Sequence, residues 1–274
     1  MRLTTCICGC GRTTETPVSD KWFCVPQRDR GGRVAYMCPT CADHMGGYSH
    51  ENTATRGKVG CGGGFTYSIE LETNTPDSHM QAYMLKNDWD STRDCTVDVE
   101  YKSPIFQSLN PIKKMLVTLE QMQAAGDFSV GSNCGTHFNV GIIDGIGAWT
   151  MDSIRERYGM LFGQLSDYLA ANPEKCKLVF GRPLDPNGWA RPWYYGDDPE
   201  THTLFINTQH NTHLEFRTAK FRTAAQYMHM AKMCKEIVKT ILARYDDTAA
   251  SACKVGARLV AIFEKYAETA PRWY

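Results

Sequence analysis

In four stretches of this chain, apolar residues alternate with ionisable or amide side chains. They are Ile69-Glu70-Leu71-Glu72, Asp98-Val99-Glu100-Tyr101, His137-Phe138-Asn139-Val140 and Leu214-Glu215-Phe216-Arg217. Successive side chains of a strand point to opposite faces, so each stretch reads as a strand with one apolar and one polar side. In the last of them, Glu215 and Arg217 share a face and Leu214 and Phe216 share the other. A carboxylate can hold a hard cation and a guanidinium can grip phosphate oxygens, which together make the two halves of a metal–nucleotide site. A surface ion pair on an amphipathic strand would leave the same local pattern. Repetition in four segments favours the site.

The strands are bounded as follows. Phe65–Thr73 carries Glu70 and Glu72, Cys95–Tyr101 carries Asp98 and Glu100, and Asn133–Val140 carries His137 and Asn139. Thr203–Asn207 and Thr212–Thr218 read as a hairpin across 208–211, and Lys177–Phe180 as a short strand. Asn87–Arg93 reads as a turn. Apolar residues at helical spacing predict helices over Leu109–Ala125, closed by Gly126, and over Ile154–Leu169, ended by Asn172-Pro173. Two more are predicted over Ala224–Tyr245 and Ala252–Ala267. Gly181–Trp193, rich in Pro, Gly and Trp, reads as an ordered loop whose Arg182 and Arg191 can clamp phosphate or carboxylate.

Six of the 12 cysteines fall in the first 41 residues. Cys8 and Cys10, followed at a hairpin-sized distance by Cys38 and Cys41, have the spacing of a small zinc ribbon. Cys6, Cys24 and His44 are alternative ligands, and reduced cysteines without metal are the competing interpretation. This divides the chain into a zinc-ribbon-like module (1–60) with a structural zinc and a larger domain (61–274), joined through the glycine-rich 57–64. Lysine plus arginine (30) equals aspartate plus glutamate (30), so no net basic field attracts nucleic acid. The chain has no apolar run near the ~20 residues of a membrane span and no secretory h-region at Met1–Cys10, which predicts a cytoplasmic protein. Oligomerisation is left open.

Taken in order, Ile-Glu-Leu-Glu at 69–72, Val-Glu at 99–100 followed by Ser103-Pro104, Cys-Gly-Thr-His-Phe-Asn at 134–139 and Leu-Glu-Phe-Arg at 214–217 resemble the amidoligase family. That family is itself similar to glutamine synthetase and the glutamate–cysteine ligases. The resemblance spans roughly residues 62–245 and does not include the cysteine-rich front. It implies an α+β fold: a curved, mostly antiparallel glutamine synthetase-like sheet with flanking helices. It further implies sites for two or three Mg²⁺ (or Mn²⁺) ions held by Glu70, Glu72, Glu100, His137 and Glu215. Arg217 would contact the transferred phosphate, Asn139 would orient nucleotide or substrate, and Arg182 and Arg191 would be looser phosphate contacts.

The chemistry implied is ATP-dependent joining of a small-molecule or peptide carboxylate to an amine. A free carboxylate does not acylate an amine in water, because its leaving group is poor; phosphorylation supplies a good one. The protein then has to hold anions together and offset charge on the migrating phosphoryl group. Two other functions are compatible with the residues: a guanidino kinase-like phosphotransferase on the same fold, and an inactive zinc-containing adaptor.

Overall fold

The computed structural model describes residues 65–92, 97–106, 108–142, 151–186, 188, 190–199, 203–210, 213–246 and 248–271. It also describes the backbone of four short strands in the first 37 residues. These four are β1 (Thr4–Thr5), β2 (Thr13–Thr14), β3 (Phe23–Pro26) and β4 (Val34–Met37), and they pair as two antiparallel ribbons, β1 with β2 and β3 with β4. Cys6, Cys8, Cys10, Cys38, Cys41 and His44 lie outside the described residues.

The remaining strands form one six-stranded sheet. They are β5 (Phe65–Thr73), β6 (Asp90–Thr92), β7 (Val99–Lys102), β8 (Thr136–Ile142), β9 (Ile206–Asn207) and β10 (His213–Phe216), in the order β6-β7-β5-β8-β10-β9. Every neighbouring pair is antiparallel. Seven helices accompany it among the described residues: α1 (Ser78–Lys86), α2 (Leu109–Ala125), α3 (Met151–Glu156), α4 (Tyr158–Ala171), α5 (Pro173–Phe180), α6 (Ala224–Arg244) and α7 (Ala249–Glu268). None of these is long and apolar enough to cross a membrane.

The alternation in sequence becomes a division between the two faces of the sheet. Tyr67, Ile69 and Leu71 of β5, Phe138 and Val140 of β8, and Leu214 and Phe216 of β10 all belong to one side and are buried. Helix α6 packs over β8 there, α2 and α7 pack on α6, and α4 packs on α7. Aromatic contacts fasten the layers. Tyr67 stacks on Phe138 at 6.0 Å, the Tyr227 ring meets Phe138 edge-on at 6.1 Å, and Phe180 stacks on Phe263 at 6.0 Å. The Tyr227 hydroxyl, buried from α6, also donates to the His137 carbonyl at 3.0 Å.

Helix boundaries follow local chemistry. Pro111 lies in the first turn of α2, where no backbone donor is needed, and Gly126 ends it with φ +89°, a conformation costly for other residues. Thr223 and Thr248 cap α6 and α7 by accepting from the Gln226 and Ser251 amides.

Four local expectations are corrected. Lys177–Phe180 is the end of helix α5, not a strand: Pro173 sits at its start, Gly181 (φ +88°) ends it, and Cys176, Val179 and Phe180 bury one side. A four-residue apolar run cannot by itself separate the two states. Within the turn expected at Asn87–Arg93, Asp90–Thr92 pairs with β7 as an edge strand; its polar, largely exposed residues carry no periodic signal. Strand β7 starts at Val99, so Asp98 lies outside it, and its carboxylate accepts from the Thr75 amide at 2.7 Å. The Ile154–Leu169 stripe is divided at Arg157 into α3 and α4. Helix α1 was unforeseen, although Asp77 caps it by accepting from Met80 N and Met80 and Met84 supply an i,i+4 apolar pair.

Candidate functional site

The other face of the sheet is polar and buried. Register fixes who meets whom: Glu70 of β5 lies opposite His137 of β8 and Lys102 of β7, Glu72 opposite Glu100, and Asn139 of β8 between Ser68 and Glu215. Glu70, Glu72, His137, Asn139 and Glu215 are each 9% exposed or less. Ionisable groups at that depth have to be paired or hold a ligand.

His137 is the centre. Its Nδ1 lies 2.7 Å from Glu215 Oε1 and 3.7 Å from Glu70 Oε2, and its Nε2 lies 3.6 Å from Glu72 Oε1. Glu215 Oε1 also accepts from Arg217 at 2.7 Å, and its Oε2 accepts from Asn207 Nδ2 at 2.6 Å. Glu72 accepts from the Gly135 backbone N–H. Asn139 donates to Glu70 Oε1 at 2.9 Å and to Ser68 Oγ at 3.2 Å. At the rim, Glu100 accepts from Thr92 Oγ1 at 2.9 Å and pairs with Lys102 at 3.4 Å.

These neighbours reset the protonation states. Burial alone, with Arg217 adding to it, would lower the His137 pKa, but Glu215 and Glu70 outweigh both and raise it to about 9. Burial alone would raise Glu215; Arg217 and His137 reverse that and hold it well below the usual carboxylate range. Glu100 goes up, through burial first and then through repulsion by Glu70, with Lys102 opposing.

No family model and no curated protein matches this chain. Among solved structures, the crystal structure of the complex between the prokaryotic ubiquitin-like protein Pup and its ligase PafA is similar to it at 12% identity and a TM-score of 0.32. The similarity covers 76% of this chain and 59% of that one, so the chain spans less than two thirds of that neighbour's length.

The five side chains predicted as ligands thus gather on one face, and the donor atoms of Glu70, Glu100 and His137 all lie within 4.8 Å of one another. Carboxylate oxygens with one imidazole suit a hard divalent ion such as Mg²⁺ or Mn²⁺. One buried atom points the same way: Asn139 Oδ1 has no hydrogen-bond partner. Such an atom is costly unless a ligand completes it.

The predicted arginines separate. Arg217 joins the cluster through Glu215. Arg182 borders it, donating from Nε to the Thr218 carbonyl at 3.1 Å and from Nη2 to the Arg217 carbonyl at 2.5 Å; burial lowers its pKa, with the charge of Glu72 opposing. Arg191 is drawn elsewhere, pairing with Asp197 at 2.7 Å and bonding Thr203 Oγ1 at 3.0 Å.

Lys102, Asn207, Ser68 and His210 were missed from the sequence. Lys102 follows Glu100 by two residues on the same strand face, and Asn207 lies opposite Glu215 across the hairpin, so alternation and register already contained both. His210, 3.7 Å from Glu215 through Nε2, sits between the two hairpin strands, where no periodicity marks it.

Proposed function

We propose that this chain is an ATP-dependent carboxylate–amine ligase that forms an amide or isopeptide bond through an acyl phosphate. The observation that carries the reading is the convergence of Glu70, Glu72, Glu100, His137 and Glu215 on one buried sheet face beside Arg217, with Asn139 Oδ1 left without a hydrogen-bond partner. Residues 61–274 would form the catalytic domain. Residues 1–60 would form the zinc-ribbon-like module, with Cys8, Cys10, Cys38 and Cys41 on a structural zinc.

Bound divalent ions would offset charge on the nucleotide phosphates and the migrating phosphoryl group. The chain's own residues do the rest by position. Glu70, Glu100 and His137 are the nearest set of ligand atoms, with Glu72 and Glu215 beside them. Arg217, already fixed by Glu215, presents a permanent positive charge to the phosphoryl group, and Arg182 adds a second at the end of β10. Asn139, tied to Glu70 and Ser68, would orient the nucleotide or substrate by holding that carboxylate in place.

In the reaction, the substrate carboxylate oxygen attacks the γ-phosphorus and ADP leaves. The amine nitrogen then attacks the acyl carbon, phosphate leaves with the C–O electron pair, and the amine gives up a proton. His137 is too deeply engaged with Glu215 to be assigned that proton. No step needs a cysteine, and Cys134, whose thiol burial pushes up, is poorly suited to one.

The test is thermal unfolding with Mg²⁺ and ADP, on wild type and Glu100→Gln. Nucleotide at a hundredfold its Kd should stabilise by about 2.7 kcal/mol. For a chain of this size that is a rise on the order of 5–10 °C. The rise should require metal and be reduced in the variant. Trapping with hydroxylamine then distinguishes chemistries: a hydroxamate plus ADP and phosphate supports the ligase, whereas a phosphoguanidine product would assign the phosphotransferase. No shift in either protein would remove the enzyme reading.

A further inference from the structure

Lys102 has no assigned part in the reading above, yet its ammonium stands inside the ligand cluster. It lies 3.4 Å from Glu100 Oε2 and 3.8 Å from Glu70 Oε2, on the same face of β7 as Glu100 and opposite Glu70 in register. Its side chain is only 27% exposed, so the charge is not simply solvated away from the carboxylates. Four carboxylates (Glu70, Glu72, Glu100, Glu215) meet three permanent cations here: Lys102, Arg217 through Glu215, and Arg182 near Glu72. His137 gives up its proton on becoming a ligand, so in the metal-bound state the face carries one excess negative charge before the charge of the ion is added. One divalent ion carries it to one excess positive charge; a second would leave three at short range in a buried setting, which is strongly disfavoured.

We propose that Lys102 is a tethered cation that takes the place of one metal ion, so that the nucleotide-free site holds a single divalent ion. This rests on the ligase reading only in assuming that the cluster binds metal. The ion draws on His137 and on the Glu215 and Glu72 carboxylates around it; the Glu70–Glu100 edge already has its counter-charge from Lys102. Lys102 is thus a positioning and stoichiometry-setting residue. It holds two carboxylates of adjacent strands in place before the ion arrives.

The test counts Mn²⁺ bound to the full, nucleotide-free chain, from the loss of the free-ion signal in electron paramagnetic resonance. Ions that survive when Glu70→Gln and His137→Gln are combined lie elsewhere and are subtracted. The expected result is one cluster ion in wild type and in Lys102→Arg, and two in Lys102→Met, in which the methylene stem stays and the charge goes. Lys102→Gln provides a second neutral variant should Lys102→Met fold poorly, which circular dichroism would reveal. Two or more cluster ions in wild type, or still one in both neutral variants, would overturn the proposal and leave the ligase reading standing. No cluster ion in wild type or in any Lys102 variant would overturn both.

Discussion

Glu215 shows how tightly the centre is balanced. Its carboxylate contacts His137, Arg217 and Asn207, all of them at 2.7 Å or less. Truncation therefore strands buried charge, and Glu215→Ala should cost about 3–5 kcal/mol in urea unfolding of the metal-free protein. Glu100→Gln, at the rim and already repelled by Glu70, should move stability by under about 1 kcal/mol. It should nonetheless weaken Mn²⁺ binding by on the order of 10–100-fold, measured by titration. His137 adds a pH signature. Raised to about 9 without metal, its ring is protonated near neutrality and has to lose that proton to become a ligand. Metal binding at pH 7.5 should release close to one proton, seen as a buffer-dependent calorimetric enthalpy, and affinity should climb with pH until about 9. The five ligand candidates were legible because strand alternation separates them from the core-facing Ile69, Leu71, Phe138, Leu214 and Phe216. Lys102 was not legible as part of the site because an ammonium is not a metal ligand. Arg191 looked equivalent to Arg182 because a loop has no periodicity to say which way a side chain is drawn; Asp197 decides that.

The helices illustrate a different kind of legibility. Both ends of α2 follow from the sequence, since Pro111 and Gly126 act through backbone geometry that tertiary contacts need not supply. Gly126 has φ +89° and open space around its missing Cβ, so Gly126→Ala should cost about 1–2 kcal/mol through strain alone and leave Mn²⁺ affinity unchanged. Gly135, just before β8, is the contrasting case. A Cβ there would come 2.7 Å from His137 Nε2 and 3.3 Å from Arg182 Nη2. Gly135→Ala should push the imidazole aside and abolish high-affinity Mn²⁺ binding while the circular dichroism spectrum is kept. Helix α5 and strand β6 were hidden for physical reasons: four apolar residues satisfy either a strand or a helical turn, and a polar edge strand is specified by the neighbour that pairs with it.

Across the molecule, the two shifted groups at the centre define a pH window for the metal-free protein. The stability contributed by Glu215 is present above its ordinary value of 4.5 and is lost as pH falls through its depressed one. The stability contributed by His137 is complete below 6.5 and is lost as pH rises through about 9. Metal-free unfolding midpoints should therefore peak between these limits, and Mg²⁺ should extend the alkaline side, because a liganded imidazole is already neutral. A mixed α and β architecture was readable from the resemblance together with the strand and helix order, whereas the strand sequence β6-β7-β5-β8-β10-β9 was not, since pairing depends on contacts far apart in the chain. Strand β8 bonds to β5 and to β10, each roughly 70 residues away, and contacts of such long range form slowly. Synthesis adds a direction to this: Glu70, Glu100 and His137 leave the ribosome well before Glu215 and Arg217 exist. A nascent chain halted after α5 would lack the Glu215 carboxylate that meets His137 and the strand that pairs with β8, so the complete ligand set would mark a polypeptide translated past Arg217.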